Sequence, residues 1–177
     1  LNHLRSLRKE KALLIVPASL IGNWMDELNR FSPSITYYIL HPSNNKNQIE
    51  NNAEHVDKFD LTITTYGMLQ KNEWVSDVKW DTLILDEAQA IKNPDTKQTK
   101  SVKSISAKYR IAMTGTPIEN RLSDLWSLFD FLNKGLLGTA KEFSTLSSKL
   151  KDNPNGFKKL KSVVSPFILR RLKTDKN

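Results

Sequence analysis

Five short apolar runs constrain what this chain can fold into more than any other feature. They are Ala12–Val16 (ALLIV), Ile35–Leu40 (ITYYIL), Leu61–Thr65 (LTITT), Thr82–Leu85 (TLIL) and Arg110–Met113 (RIAM). Most are continuous rather than alternating. Continuous runs of this length suit strands of a parallel sheet that is covered on both faces. Helical patterns lie between them. Leu20, Ile21, Trp24, Leu28 and Phe31 recur at helical spacing after Ser19, a good N-cap residue. Thr116, Pro117 and Glu119 form a capping-box pattern, with Pro at the first helical position. It opens a helix with the stripe Ile118, Leu122, Leu125, Trp126, Phe129 and Leu132, and Gly135 lies just past its end. Strands alternating with helices predict an α/β fold with a mostly parallel sheet flanked by helices.

Four of the runs end in a polar cluster. Ala12–Val16 leads into Pro17-Ala18-Ser19, and Leu61–Ile63 into Thr64-Thr65-Tyr66-Gly67. Thr82–Leu85 leads into Asp86-Glu87-Ala88-Gln89, and Arg110–Met113 into Thr114-Gly115-Thr116-Pro117. Open α/β sheets bind ligands at the carboxyl ends of their strands, so these clusters predict an active-site rim. Asp86-Glu87 is the sharpest element. One carboxylate after a buried strand can hold Mg²⁺, a cation that takes oxygen ligands and keeps several waters. The other can orient and deprotonate a water. Taken alone, an Asp-Glu pair is more often an acidic turn at a helix start.

Beyond residue 135 the alternation stops. Gly138–Leu150 reads as helix, while Pro42–Asn52 and Lys151–Gly156 read as loops, the first leading into a short helix. The expected organisation is a lobe over 1–135 and a helical tail over 136–177. Composition narrows the chemistry. With no cysteine, disulfides, thiolate catalysis and Cys-based zinc sites are excluded. His3, His41 and His55 lack metal-ligand spacing. No apolar run approaches the ~20 residues of a membrane span, so no membrane partner is expected. The net charge of +8 sits at the ends, with +3 over residues 1–11, −2 over 12–140 and +7 over 141–177. Basic ends favour contact with nucleic-acid phosphates; a solvated Lys-rich face has the same signature.

The polar clusters and their surroundings carry a family resemblance. LILDEAQAIKN at Leu83–Asn93 resembles helicase motif II of superfamily two, in the DEAQ form found among SWI/SNF-type ATPases. MTGTPIENRLSDLWSLFDFL at Met113–Leu132 resembles motif III of that family, LIVPASLIGNWMDEL at Leu14–Leu28 motif Ia, and LTITTYGML at Leu61–Leu69 motif Ib. SPFILRRLKTD at Ser165–Asp175 resembles the segment that closes the first motor lobe. Order and spacing match over nearly the whole chain.

The resemblance implies a RecA-like lobe of P-loop NTPase type, ATP and Mg²⁺ as cofactors, and double-stranded DNA as partner. A second motor lobe of the same polypeptide and a DNA-bound protein complex are further implied partners. Asp86 would be the Mg²⁺ carboxylate and Glu87 the base for the attacking water. Gln89 would contact the γ-phosphate or couple to the second lobe. Thr114, Gly115 and Thr116 would link nucleotide state to DNA contact, and Pro17, Ser19, Thr64 and Thr65 would line the DNA backbone. Trp24 and Trp126 fit packing stripes better than base stacking. Arg170 and Arg171 suit phosphate contact and a solvated basic tail equally.

The chain departs from the family in one respect. It contains no Gly-x-x-x-x-Gly-Lys phosphate loop. The expectation is therefore a lobe truncated at its N-terminal strand and phosphate loop, inactive alone and with an unpaired sheet edge. Two other readings stand beside the motor: a non-catalytic DNA- or protein-binding module, and a nucleotide-binding regulator. The expected location is a bacterial cytoplasm, on the nucleoid, or the nucleus if the source is eukaryotic.

Overall fold

The computed structural model describes residues 10–42, 53–115, 122–151 and 154–169. These form two compact units that part between Leu137 and Gly138. The first is built on five strands: β1 (Ala12–Val16), β2 (Tyr37–Leu40), β3 (Leu61–Thr65), β4 (Trp80–Leu85) and β5 (Ala107–Ala112). All neighbours pair in parallel, in the order β2-β3-β1-β4-β5. The α/β reading of the sequence is thereby shown to be right.

Strand parity explains why the apolar runs are continuous. Leu13 and Ile15 of β1 join a cluster with Leu83, Leu85, Val102, Leu128 and Phe131. Leu14 and Val16 point the other way, into a cluster with Ile39, Leu61, Ile63 and Ile21. Helix α1 (Ile21–Phe31) covers that second face through Ile21, Trp24, Met25 and Leu28. The short helices α2 (Ala53–Val56) and α3 (Tyr66–Leu69), with α4 (Lys97–Ser104) and α5 (Leu122–Leu132), place Val56, Tyr66, Leu69, Val102, Leu128 and Phe131 in the first cluster.

Three sequence expectations change. Ser19 does not cap α1: a 3-10 turn over Ala18–Leu20 precedes the helix, with no side-chain cap at its start. Phe31, assigned to the helical stripe, is 65% exposed. The loop expected over Lys151–Gly156 is instead largely the ends of two helices, α6 (Ala140–Lys151) and α7 (Pro154–Val164). Pro154 occupies the first helical position, where its missing N–H costs nothing. The capping box at Thr116–Glu119 and the pair Arg170–Arg171 lie outside the described residues.

Both β2 and β5 are edges of the described sheet. Tyr109 and Ile111 on β5 are exposed. Among the described residues, no helix is long and apolar enough to cross a membrane.

In the second unit, α6 and α7 pack on each other. Helix α6 opens with a capping box that the sequence reading did not single out. Thr139 donates its N–H and its hydroxyl to Glu142 Oε2 at 2.7 and 2.8 Å, and Thr139 Oγ1 accepts from Glu142 N at 3.3 Å. The backbone N–H and then the hydroxyl of Thr139 hold the Glu142 carboxyl below its ordinary value of 4.5. A lowered carboxyl pKa stabilises the fold above the unfolded-state value and stops doing so as pH falls through the folded one. Acidification should therefore release the start of α6 at a lower pH than a free glutamate would titrate. A carbon-13 titration of the Glu142 carboxyl checks this; a midpoint at or above 4.5 refutes it.

Candidate active site

The strand order creates a crevice. β1 and β4 are neighbours, but the chain leaves β1 toward β2 on one side and leaves β4 toward β5 on the other. Ligands of open α/β sheets bind at such a reversal, outside the carboxyl ends of the strands. The segments that follow β1 and β4 are Pro17–Leu20 and Asp86–Ile91. The motif II residues therefore stand at the position that the topology favours.

Asp86 is held from four directions. Its N–H donates to the Ile15 carbonyl at 2.9 Å, and its carbonyl accepts from the Tyr66 hydroxyl at 2.7 Å. Carboxylate Oδ1 accepts from Glu87 N, and Oδ2 accepts from the Trp24 indole Nε1, both at 2.8 Å. Tyr66 is almost fully buried. Burial first, and then the charges of Asp86 and Glu87, push its phenol well above the ordinary value of 10.0. It is thus a fixed neutral donor.

Glu87 adopts a left-handed backbone (φ 50°, ψ 51°) and is the one non-glycine residue with positive φ among those described. That conformation costs about 1–3 kcal/mol in a side-chain-bearing residue and persists only where its surroundings enforce it. Here Ala88 N donates to the Met113 carbonyl and Met113 N to the Leu85 carbonyl, both at 2.8 Å. The two carboxylates have different partners. Asp86 meets α1, while Glu87 Oε2 accepts from Gln89 Nε2. Gln89 Oε1 in turn accepts from the Thr114 hydroxyl at 2.7 Å. Thr114, Gln89 and Glu87 therefore form one hydrogen-bonded chain from the end of β5 to the base of the turn.

The segment beyond Gln89 is tied to α4 and α5 by side-chain hydrogen bonds. Gln98 donates to the Ala90 carbonyl at 2.8 Å, buried Ser127 to Ile91 at 2.7 Å, and Thr99 to Asn93 at 2.6 Å. Side chains of α4 and α5 thus satisfy carbonyls that the 3-10 turn Ala88–Ile91 leaves open. Trp126 is half-buried, with the Lys103 ammonium 4.9 Å from its ring centroid.

The expected DNA-facing residues divide. Ser19 is exposed and Pro17 half-buried, both beyond the end of β1. Thr64 is fully buried and donates to the Leu40 carbonyl at 3.1 Å, so its side chain cannot reach an outside phosphate. Thr65 is 7% exposed, and its hydroxyl oxygen caps α3 by accepting from Met68 N at 3.3 Å. Gly115 is exposed beside Thr114, and Thr116 lies outside the described residues. Two residues beside the site were missed as such: Trp24, read as packing in preference to base stacking, and Tyr66, which stood in a polar cluster without a role. A buried indole or phenol needs a partner for its polar atom, and that was the available signal.

The donor set fits a hard divalent cation. Oδ1 and Oδ2 of Asp86 each take one N–H donor and retain acceptor capacity. No group of three or more His, Cys, Asp or Glu residues could cage a metal among the described residues. One or two carboxylates plus substrate oxygens is the way Mg²⁺ is usually held.

Comparison with known proteins identifies the family. The model of the SNF2-related domain matches residues 2–176. A putative ATP-dependent helicase/translocase of Bacillus subtilis (strain 168) is 37% identical over 179 residues, covering 98% of this chain and 19% of that protein. The yeast ISWI chromatin-remodeling complex ATPase (Saccharomyces cerevisiae) is 31% identical, covering 99% of this chain and 16% of that one. The Sulfolobus solfataricus SWI2/SNF2 ATPase core, solved in complex with double-stranded DNA, superposes with a TM-score of 0.83 at 41% identity, over 93% of this chain and 34% of that chain. The chain thus spans about a fifth or less of these two curated relatives. A family model that matches almost every residue, together with a RecA-like sheet bearing Asp86–Gln89 at its switch point, shows that this chain belongs to the SNF2-related domain family, within helicase superfamily two.

Proposed function

We propose that this chain is the water-activating part of the first motor lobe of an ATP-driven translocase on double-stranded DNA, one that remodels protein–DNA complexes. The observation that supports it most is the hydrogen-bonded chain Thr114–Gln89–Glu87 beside a fixed Asp86. Asp86 would hold Mg²⁺, which supplies charge neutralisation for phosphoryl transfer when bound. Glu87 would orient and deprotonate the attacking water, with its carboxylate held by Gln89. Gln89 would fix the Glu87 carboxylate and pass the state of Thr114, Gly115 and Thr116 to it. Ser19, which is exposed, and half-buried Pro17 would contact the DNA backbone. Phosphate contacts of this kind position a protein without reading sequence.

The test is ATP turnover by the whole protein with and without double-stranded DNA, together with DNA affinity against salt. Stimulation by duplex DNA and a falling affinity with salt are expected. Salt-dependent binding with no turnover at all would replace the motor by a binding module. The 177 residues alone contain no Gly-x-x-x-x-Gly-Lys sequence to cradle a triphosphate. Positioning supplies nearly all of phosphoryl-transfer catalysis. Purified alone, the chain should therefore show no DNA-stimulated turnover above a Glu87→Gln blank, and turnover that this substitution abolishes would refute the point.

A further inference from the structure

The Trp24–Asp86 contact has no packing explanation. The indole ring sits in the apolar layer under α1, where any large hydrocarbon would serve. Its Nε1–H, however, reaches a carboxylate 62 residues away at 2.8 Å. The other indole bonds differ. Trp80 donates to the Val75 carbonyl at 3.0 Å and Trp74 to Asn72 Oδ1 at 3.3 Å, both neighbours in sequence. Trp24 thus ties the segment that follows β1 to the residue that follows β4, across the crevice mouth.

We infer that Trp24 is a positioning residue for Asp86, fixing the orientation of that carboxylate for a divalent cation. The inference rests on the reading of Asp86 as a cation ligand. A carboxylate at the end of a strand can rotate about its side-chain bonds. Here the backbone N–H of Glu87 takes Oδ1 and the indole takes Oδ2, so both oxygens are pinned at once. Tyr66 pins the Asp86 carbonyl as well, which leaves the residue little freedom. A neutral donor withdraws some charge from Oδ2, which alone would weaken a cation's hold. The opposing effect is larger: loss of a group that orients a metal ligand typically weakens binding about 10–100-fold. Trp24 also belongs to the segment that carries Ser19. A shift of α1 would therefore be felt at Asp86 without passing through Gln89 or Thr114.

The contact is testable with the chain itself. Nitrogen-15 spectra contain one indole N–H signal for each of the four tryptophans, and Trp24→Phe identifies the one at issue. Mn²⁺, a hard cation accepted by carboxylate sites, broadens signals near where it binds. In the unaltered chain, MnCl2 should broaden the Trp24 indole and the Glu87 amide before Trp74 or Trp80. In Trp24→Phe the concentration that half-broadens the Glu87 amide should rise about tenfold. An unchanged midpoint overturns the inference and leaves the cation reading of Asp86 intact. If Mn²⁺ broadens neither signal in the unaltered chain, the reading of Asp86 itself falls, and the inference with it. Should Trp24→Phe fail to fold, MgCl2 added to the unaltered chain still decides. Its Trp24 indole must shift while that of Trp80 stays, and a stationary Trp24 signal overturns the inference.

Discussion

Glu87→Gln should lower DNA-stimulated ATP turnover of the whole protein by about 10²–10⁴-fold, the usual contribution of a positioned general base. The substitution keeps the size of the side chain and removes its basicity. Its amide oxygen can still accept from Gln89 Nε2, so the link to Thr114 survives. The left-handed backbone costs Gln about what it costs Glu, because both carry an unbranched Cβ. Nucleotide affinity should stay within a few-fold, since Asp86 and its four bonds are untouched. The effect therefore belongs in kcat, as expected for an interaction made only in the transition state. Steady-state turnover and equilibrium nucleotide binding on the same preparation separate the two. A kcat within threefold of the unaltered protein would take the base role away from Glu87. A loss shared equally with binding would point to a damaged fold.

How far the site could be read from the sequence depends on which interactions are local. β1 and β3 have the bounds that their apolar runs suggest, because every residue of β3 and all but the first of β1 is buried. β5 starts three residues before its apolar run, at Ala107 rather than Arg110. It is an edge strand, and Lys108 and Tyr109 face solvent, so its first half lacks the apolar signature. Thr64 misled for a related reason. A hydroxyl at the end of a strand resembles a ligand contact, but parity places Thr62 and Thr64 opposite Leu61 and Ile63. That face is covered as well, and Thr64 spends its hydroxyl on Leu40. Asp86, Glu87, Gln89 and Thr114 were singled out because their order along the chain carries the motif pattern, and the last three are joined by hydrogen bonds. Their partners were not. Helical spacing shows which way the ring of Trp24 faces, but not that its N–H meets a carboxylate from another strand. Nor does any residue pattern disclose the left-handed backbone at Glu87.

The second large effect concerns the support beneath that turn. Phe131→Ala should destabilise the chain by about 3–5 kcal/mol, the usual cost of emptying a buried phenylalanine site. That is a large share of the roughly 5–15 kcal/mol that holds a typical domain folded. Phe131 is fully buried in the main cluster with Leu83, Leu85 and Ile105. Its ring lies 5.0 Å from the Arg110 guanidinium, which also donates to the carbonyls of Phe131 at 3.0 Å and Ile105 at 2.7 Å. Removing the ring opens a void beside a half-buried cation whose other contacts remain. Phe31→Ala is the control: that ring is 65% exposed, so its loss should cost under about 1 kcal/mol. Urea unfolding reads both. At a slope of about 2 kcal/mol per molar, Phe131→Ala should lower the midpoint by about 2 M and Phe31→Ala by less than about 0.5 M. Equal shifts would mean that α5 is not anchored through Phe131. Because the same helix donates Ser127 to the Ile91 carbonyl, its loosening should also speed amide exchange in the Ala88–Ile91 turn. The packing of one aromatic ring would then be measurable in the turn that carries Gln89.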